Sequence, residues 1–133
     1  MPSKNPRYVF QYEAKVVRVI DADTLELDID LGFRVHTVIE GRINGIDAPE
    51  MSTPEGVAAR QAVIDLLRLT KTVTVASVRD RRTFARWVVD VEVDDLMLAT
   101  WLIAHGFVKT IPRIEDLSDM EPQHDHWWHH YDQ

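Results

Sequence analysis

The chain is 133 residues long, carries a formal net charge of −7, contains no cysteine and is 45% hydrophobic. That length suits one domain with one core and is short for two, while the absence of cysteine excludes disulfides, thiolate catalysis and Cys-based zinc sites. No apolar run approaches the roughly 20 residues of a membrane span, and Met1 to Arg7 carry charge without a following apolar region, so a domain without a signal peptide or membrane partner, cytosolic or else already processed, is expected.

The negative charge is uneven. Six of the acids and none of the Lys or Arg residues fall between Glu115 and Gln133, so the rest of the chain is close to neutral. A near-neutral domain can still hold phosphate through a local cluster of arginines, without the long-range steering of a strongly basic protein.

Residues 1–7 read as a loose lead-in. Val16 to Ile20 suit a first strand, and Leu25, Leu27, Ile29 and Leu31 then alternate with acids, placing four apolar side chains on one face of a second. Gly32 offers a turn, after which Phe33, Val35, Thr37 and Ile39 alternate with Arg34, His36 and Val38, so residues 24–43 are expected to form an antiparallel hairpin. Asn44-Gly45 signals another turn. Ser52-Thr53-Pro54-Glu55 is a helix start, with a hydroxyl cap, a proline in the first turn and an acid facing the dipole. Ala59, Val63, Leu66 and Leu67 give the buried stripe of a helix over 54–69.

Thr72 to Val78 and Val89 to Val93 are β-branched or alternating and read as strands. Arg79 to Phe84 connect them and hold three arginines, most simply a solvated loop. Leu98, Trp101 and Leu102 mark a second helix ended by Gly106. Trp87 and Trp101 fall where a core is expected. Strands before the first helix and between the two, in the order βββ, α, ββ, α, predict a mainly β (α+β) chain. Its layout is that of an OB-fold: a five-stranded barrel with a helix between strands 3 and 4 and a helix after strand 5. The domain is expected to span 8–114, with 115–133 an acidic, His- and Trp-rich tail. His124, His126, His129 and His130 have spacings that would admit a transition metal, but no rigid element or hydrogen-bonding support accompanies them.

Several polar residues sit at the ends of these strands. Asp21 and Asp23, two apart, would project to one side of an extended run and share a cation or its waters; a solvated acid pair in a turn looks the same in sequence. Asp47 and Glu50 flank Ala48-Pro49, where proline stiffens the loop and fixes the direction of both carboxylates, although Glu50 would also favour the coming helix dipole. Arg42 ends one strand and Arg86 opens another; either can grip phosphate or form an ordinary surface ion pair. Oxygen ligands for a hard cation, a spare carboxylate for water and two guanidinium forks suit attack on a phosphodiester.

Together, Ile20-Asp21-Ala22-Asp23-Thr24, Arg42, Ile46-Asp47-Ala48-Pro49-Glu50, Ala85-Arg86 and Leu102 to Lys109 with Gly106 resemble the thermonuclease family, the staphylococcal-nuclease-like domains, across roughly Glu13 to Ile111. The resemblance implies an OB-fold that binds calcium through Asp23, Asp47 and the backbone carbonyl of Ala48, with Asp21 near the metal's water shell. It further implies that Glu50 activates or positions the attacking water and that Arg42 and Arg86 hold the phosphate and stabilise the transition state. The family usually has glycine where this chain has Ala22 and Ala85, and tyrosine is common where Phe84 stands. The tyrosines that follow the second helix in its best-known member are replaced here by Pro112, Arg113 and Ile114. The expected function is hydrolysis of DNA, RNA or both, dependent on calcium with magnesium or manganese as substitutes, by a monomer that leaves 3′-phosphate ends. The alternative is an OB-fold module that binds nucleic acid or protein without turnover.

Overall fold

A computed structural model describes residues 10–70, 72–78 and 87–114. Five long strands form a closed barrel: β1 (Gln11–Asp21), β2 (Thr24–Asp30), β3 (His36–Ile43), β5 (Val73–Val78) and β6 (Trp87–Val93). Short strands β4 (Ile46–Asp47), β7 (Leu96–Met97) and β8 (Lys109–Thr110) flank them, and the helices are α1 (Pro54–Leu67) and α2 (Leu98–Ala104). The sheet runs β3-β2-β1-β5-β6-β7, and a parallel pairing of β3 with β6 closes it. This is the expected OB-fold-like α+β barrel. Among the described residues no helix is long and apolar enough to cross a membrane.

The alternation in β2 sets the inside of the barrel. Leu25, Leu27 and Ile29 are buried while Glu26 and Asp28 are half-buried on the other face. From β6, Val89, Val91 and Val93 meet them, and α1 and α2 supply Ala59, Val63, Leu98 and Leu102. Burying each large aliphatic side chain stabilises the fold by about 1.5–3 kcal/mol before conformational entropy is charged against it. Gly41 faces the same interior. A β-carbon there would lie 3.0 Å from Val89 and 3.2 Å from Leu27, so glycine lets β3 approach closely.

Strand β1 is longer than its apolar run foretells. Register shifts between Val16 and Arg18 and between Val19 and Asp21 mark bulges, which bend the strand. The bent strand pairs with β5 at Gln11–Ala14 and with β2 from Ala14 onward. That double use is what a small barrel needs from its first strand.

The β2–β3 hairpin departs from the expected alternation at its tip. Gly32, Phe33 and Arg34 all have positive φ, of 81°, 56° and 63°, and two backbone hydrogen bonds, Leu31 N–H to Val35 and Val35 N–H to Gly32, close the turn. Leu31, Phe33 and Val35 are therefore exposed loop residues, and regular pairing resumes only at Asp30 with His36. Trp87 corrects a second expectation. It opens β6 opposite Gly41, a partner with no side chain to cover it, and is 55% exposed.

Helix α1 starts where the cap signal puts it and ends at Leu67 rather than residue 69. Helix α2 ends in a Schellman arrangement. Phe107 N–H bonds to Leu102 and Gly106 N–H to Ile103, with Gly106 at φ 73°. The turn sends the chain back along α1 so that β8 can pair with β4.

Candidate active site

Asp23 anchors the polar constellation. It lies in the two-residue turn between β1 and β2, where Asp21 pairs with Thr24, and its side chain is 9% exposed. Ala48 donates its backbone N–H to one carboxylate oxygen at 2.9 Å, and the Thr24 hydroxyl donates to the other at 2.8 Å. The Asp23 carbonyl accepts the Ile43 N–H at 2.7 Å. One residue thus ties the β1–β2 turn to the end of β3 and to the loop after β4. Ala22 in the same turn does not have positive φ, so its β-carbon is accommodated where the resembled family has glycine.

Arg42 closes the arrangement from β3. Its Nη2 donates to the Ile46 carbonyl at 3.3 Å and lies 3.5 Å from an Asp47 carboxylate oxygen and 3.9 Å from Asp23. The Arg42 side chain is 28% exposed, so it is not sealed in the core. Asp47 is exposed at the end of β4 and Glu50 is exposed three residues on. Arg86 lies outside the described residues, as do Arg79, Arg81, Arg82, Phe84, Ala85 and the four tail histidines.

Asp21 completes the acid group. Its carboxylate accepts the Asp23 N–H at 3.1 Å. Burial, then the hydrogen bond and charge of Asp23, raise its pKa from 3.8 to about 6. Burial pushes Asp23 up as well, but hydrogen bonds from Asp21, the Ala48 N–H and Thr24, with the charge of Arg42, hold it below the usual carboxylate range. Two acids side by side, each disfavouring ionisation of the other, cannot both ionise freely.

Such a donor set suits a hard cation. Asp23, Asp47 and Asp21 offer only oxygen, and a nearby divalent charge would favour ionisation of Asp21. Among the described residues no three acid or imidazole side chains converge tightly enough to hold an ion by themselves. A backbone carbonyl, as at Ala48, and water would have to complete the shell, which calcium with its 6–8 oxygen ligands permits.

In comparisons with known proteins, no family model and no curated protein matches this chain.

The loop from Asp47 to Glu50 is held to α1 by the expected hydroxyl cap and by contacts of the Glu50 carbonyl that sequence reading did not anticipate. Thr53 caps the helix, accepting the Gly56 N–H at 3.1 Å. Both its backbone N–H, at 3.0 Å, and its hydroxyl, at 2.7 Å, donate to the Glu50 carbonyl. That carbonyl rests against Gly56. A β-carbon at Gly56 would overlap the Glu50 oxygen and come within 2.6 Å of its carbonyl carbon and 2.8 Å of the Pro49 oxygen. The signal in the sequence was a glycine inside the first turns of a helix, where it costs about 1 kcal/mol and needs a packing reason.

A second set of contacts fastens the opposite edge. The buried Asn44 side chain accepts the Ile114 N–H at 2.8 Å and donates to the Ile114 carbonyl at 2.7 Å, seventy residues away in sequence. Arg113 grips the buried Asp90 carboxylate with two hydrogen bonds, at 2.8 and 3.2 Å. Ile111 N–H bonds to Gly45, and Lys109 pairs with Asp47. Between the 47–50 loop, the start of α1 and the Gly106–Lys109 segment lies a cleft of about 560 Å³.

Proposed function

We propose that this protein is a metal-dependent nuclease that hydrolyses phosphodiester bonds of DNA, RNA or both, with calcium as the leading cofactor. The observation that carries the reading is the meeting of Asp23 with Ala48, Asp47 and Arg42, brought from three strand ends and fastened by the Ala48 N–H and the two ion pairs of Arg42. The resemblance to the thermonuclease family, read from the same positions, supports it.

Asp23, Asp47 and the Ala48 carbonyl would hold the ion, with Asp21 placed toward its waters. When bound, the ion supplies positive charge against the phosphate oxygens. Glu50, exposed at the mouth of the cleft, orients a water and takes its proton as the oxygen attacks phosphorus in line. The bond from phosphorus to the 5′-oxygen breaks, that oxygen takes a proton from solvent water and leaves as a 5′-hydroxyl, and the phosphate stays on the 3′ side. Arg42, whose side chain is partly exposed, and Arg86 meet the charge that grows on the non-bridging oxygens. Arg42 itself pairs with Val88 across the parallel β3–β6 ladder.

The deciding experiment is digestion of single-stranded DNA and of RNA by the full chain with calcium, with magnesium or manganese, and with chelator. Fragments that carry 3′-phosphate with calcium, and none with chelator, are expected. Well-folded protein at micromolar concentration that leaves both polymers intact with every ion would replace the nuclease with a non-catalytic OB-fold binding module.

A further inference from the structure

Asp47 stands on a strand too short to hold itself in place. Among the described residues β4 has two residues and pairs only with β8, in a sheet separate from the barrel, and an isolated two-stranded ribbon is marginal in water. Ile46 is buried and seats the strand on the core. The direction in which Asp47 and Ala48 leave that seat is set by the Asn44-Gly45 turn before it and by the segment that carries β8 beside it.

Both are clamped, and the clamp closes on Arg113. The Asn44 N–H donates to the Val89 carbonyl on β6 at 2.9 Å, and the Gly45 carbonyl accepts the Ile111 N–H at 3.0 Å. Gly45 has a φ of 83°, and a β-carbon on it would lie 3.0 Å from Cγ of Arg113. The turn therefore takes glycine for two reasons, a left-handed backbone and the aliphatic stem of Arg113 laid against it. Beyond the turn the guanidinium makes two hydrogen bonds to the Asp90 carboxylate, whose side chain is 1% exposed. Separating that pair would leave an uncompensated charge in the core, so the grip is firm. Arg113 thus fastens the β3–β4 turn to β6, the strand that also pairs with Arg42.

The turn in its place fixes the two ends of the site. Arg42 precedes it and Asp47 follows it, their charged atoms 3.5 Å apart, and Ala48 is tied to Asp23 through its N–H. We propose that Arg113 is a positioning residue: packed on Gly45 and gripping Asp90, it holds Asp47 and the Ala48 carbonyl where they bind the cation, so that calcium affinity depends on it. Its bearing on calcium rests on the nuclease reading, whereas its control of the backbone at 47–48 rests on these contacts alone.

The test compares Arg113→Met, which keeps the stem and removes the fork, with Val75→Ala, which opens a cavity at a buried position of β5 outside these contacts. Calcium binding is measured by titration calorimetry. Hydrogen exchange of the Ala48 amide and of the β2 amides is followed in the metal-free, 15N-labelled full chain. Arg113→Met is expected to bind calcium about tenfold more weakly than the parent, the smaller end of what losing an outer partner of a metal ligand costs, and to exchange the Ala48 amide about tenfold faster. Val75→Ala should leave both at the parent's values while its β2 amides exchange faster, as a purely global loss of stability requires. An Arg113→Met variant that matches Val75→Ala in both measurements would overturn the proposal and leave Arg113 a stabilising residue only. Faster Ala48 exchange with the parent's calcium affinity would overturn the link to the cation. A parent that binds no calcium would overturn the nuclease reading, and Ala48 exchange then decides whether Arg113 controls the loop. Should Arg113→Met fail to fold, Arg113→Met with Asp90→Asn removes the buried charge together with its partner and carries the same measurements.

Discussion

Replacing Gly56 with alanine sets two effects of opposite sign against each other. In an open helix the change stabilises, because glycine is about 0.8–1.0 kcal/mol worse than alanine. Gly56 is buried, and the three atoms its new β-carbon would meet are the Glu50 carbonyl oxygen and carbon and the Pro49 carbonyl oxygen. All are backbone, so no side chain can rotate aside and the loop itself has to move. Overpacking of this kind costs about 1–3 kcal/mol, and a backbone obstacle places it near the upper figure. The net loss is then about 2 kcal/mol. For a domain of roughly a hundred residues, each kcal/mol shifts Tm by about 4–8 °C, so a fall on the order of 10 °C is expected. The displaced segment carries Asp47 and Glu50, and a misplacement of about 1 Å at reacting groups can lower turnover about a hundredfold. Circular-dichroism melts with and without calcium, beside kcat on a short oligonucleotide, measure both effects. A Tm equal to or above that of the parent would show that helix propensity wins and that the loop is not seated on Gly56. A lower Tm with unchanged kcat would keep the packing argument and remove the link from Gly56 to catalysis.

Asp23→Ala strips the acceptor from the Ala48 N–H and should lower stability by about 2 kcal/mol, with Asp23→Asn costing less because an amide oxygen remains; identical urea midpoints for the two variants would contradict this. In chelator, Asp21 has a folded pKa of about 6 against an ordinary 3.8, so between those values the native state keeps a proton that the unfolded chain has released. Its contribution to stability is therefore present at low pH and lost as pH rises from about 4 to 6, and Asp21→Asn should remove that decline in a series of denaturant melts. Truncation after Ile114 should leave Tm within a few degrees of the parent. Truncation after Pro112 also removes Arg113 from the buried Asp90 and Ile114 from Asn44, and should cost about 3 kcal/mol or more; similar melts for both forms would refute the latch. Arg86→Lys should melt like the parent and lose at least about two orders of magnitude in kcat, since an ammonium cannot present two parallel donors; a kcat within about threefold of the parent would remove Arg86 from the catalytic residues.

Much of the barrel was legible along the chain because a strand with one buried face writes its periodicity into the sequence. Leu25, Leu27 and Ile29 on β2 are buried as their alternation required, and Thr53, Pro54 and Gly106 bound the helices where capping chemistry puts them. Asp21, Asp23, Arg42, Asp47 and Glu50 stood out for a related reason: charged residues at the ends of apolar runs are exempt from the core and free to serve a site. The same logic misplaced Phe33 and Val35, whose alternation continued across a turn where positive φ at Gly32, Phe33 and Arg34 breaks the strand.

Periodicity reports which face of a strand is apolar and says nothing about which edge lies beside which. The parallel pairing of Gly41–Ile43 with Trp87–Val89, which closes the barrel and brings Arg42 to β6, was therefore a decision of the tertiary structure. So were the bulges of β1, which let one strand serve two partners. Buried polar groups are the clearest case. Asn44 and Asp90 look like ordinary turn and strand residues, yet each is satisfied by a segment far along the chain, Ile114 and Arg113. A desolvated amide or carboxylate must find its hydrogen bonds among whatever groups the packed core leaves within about 3 Å. Residue type states the demand, and only the folded barrel chooses the partner.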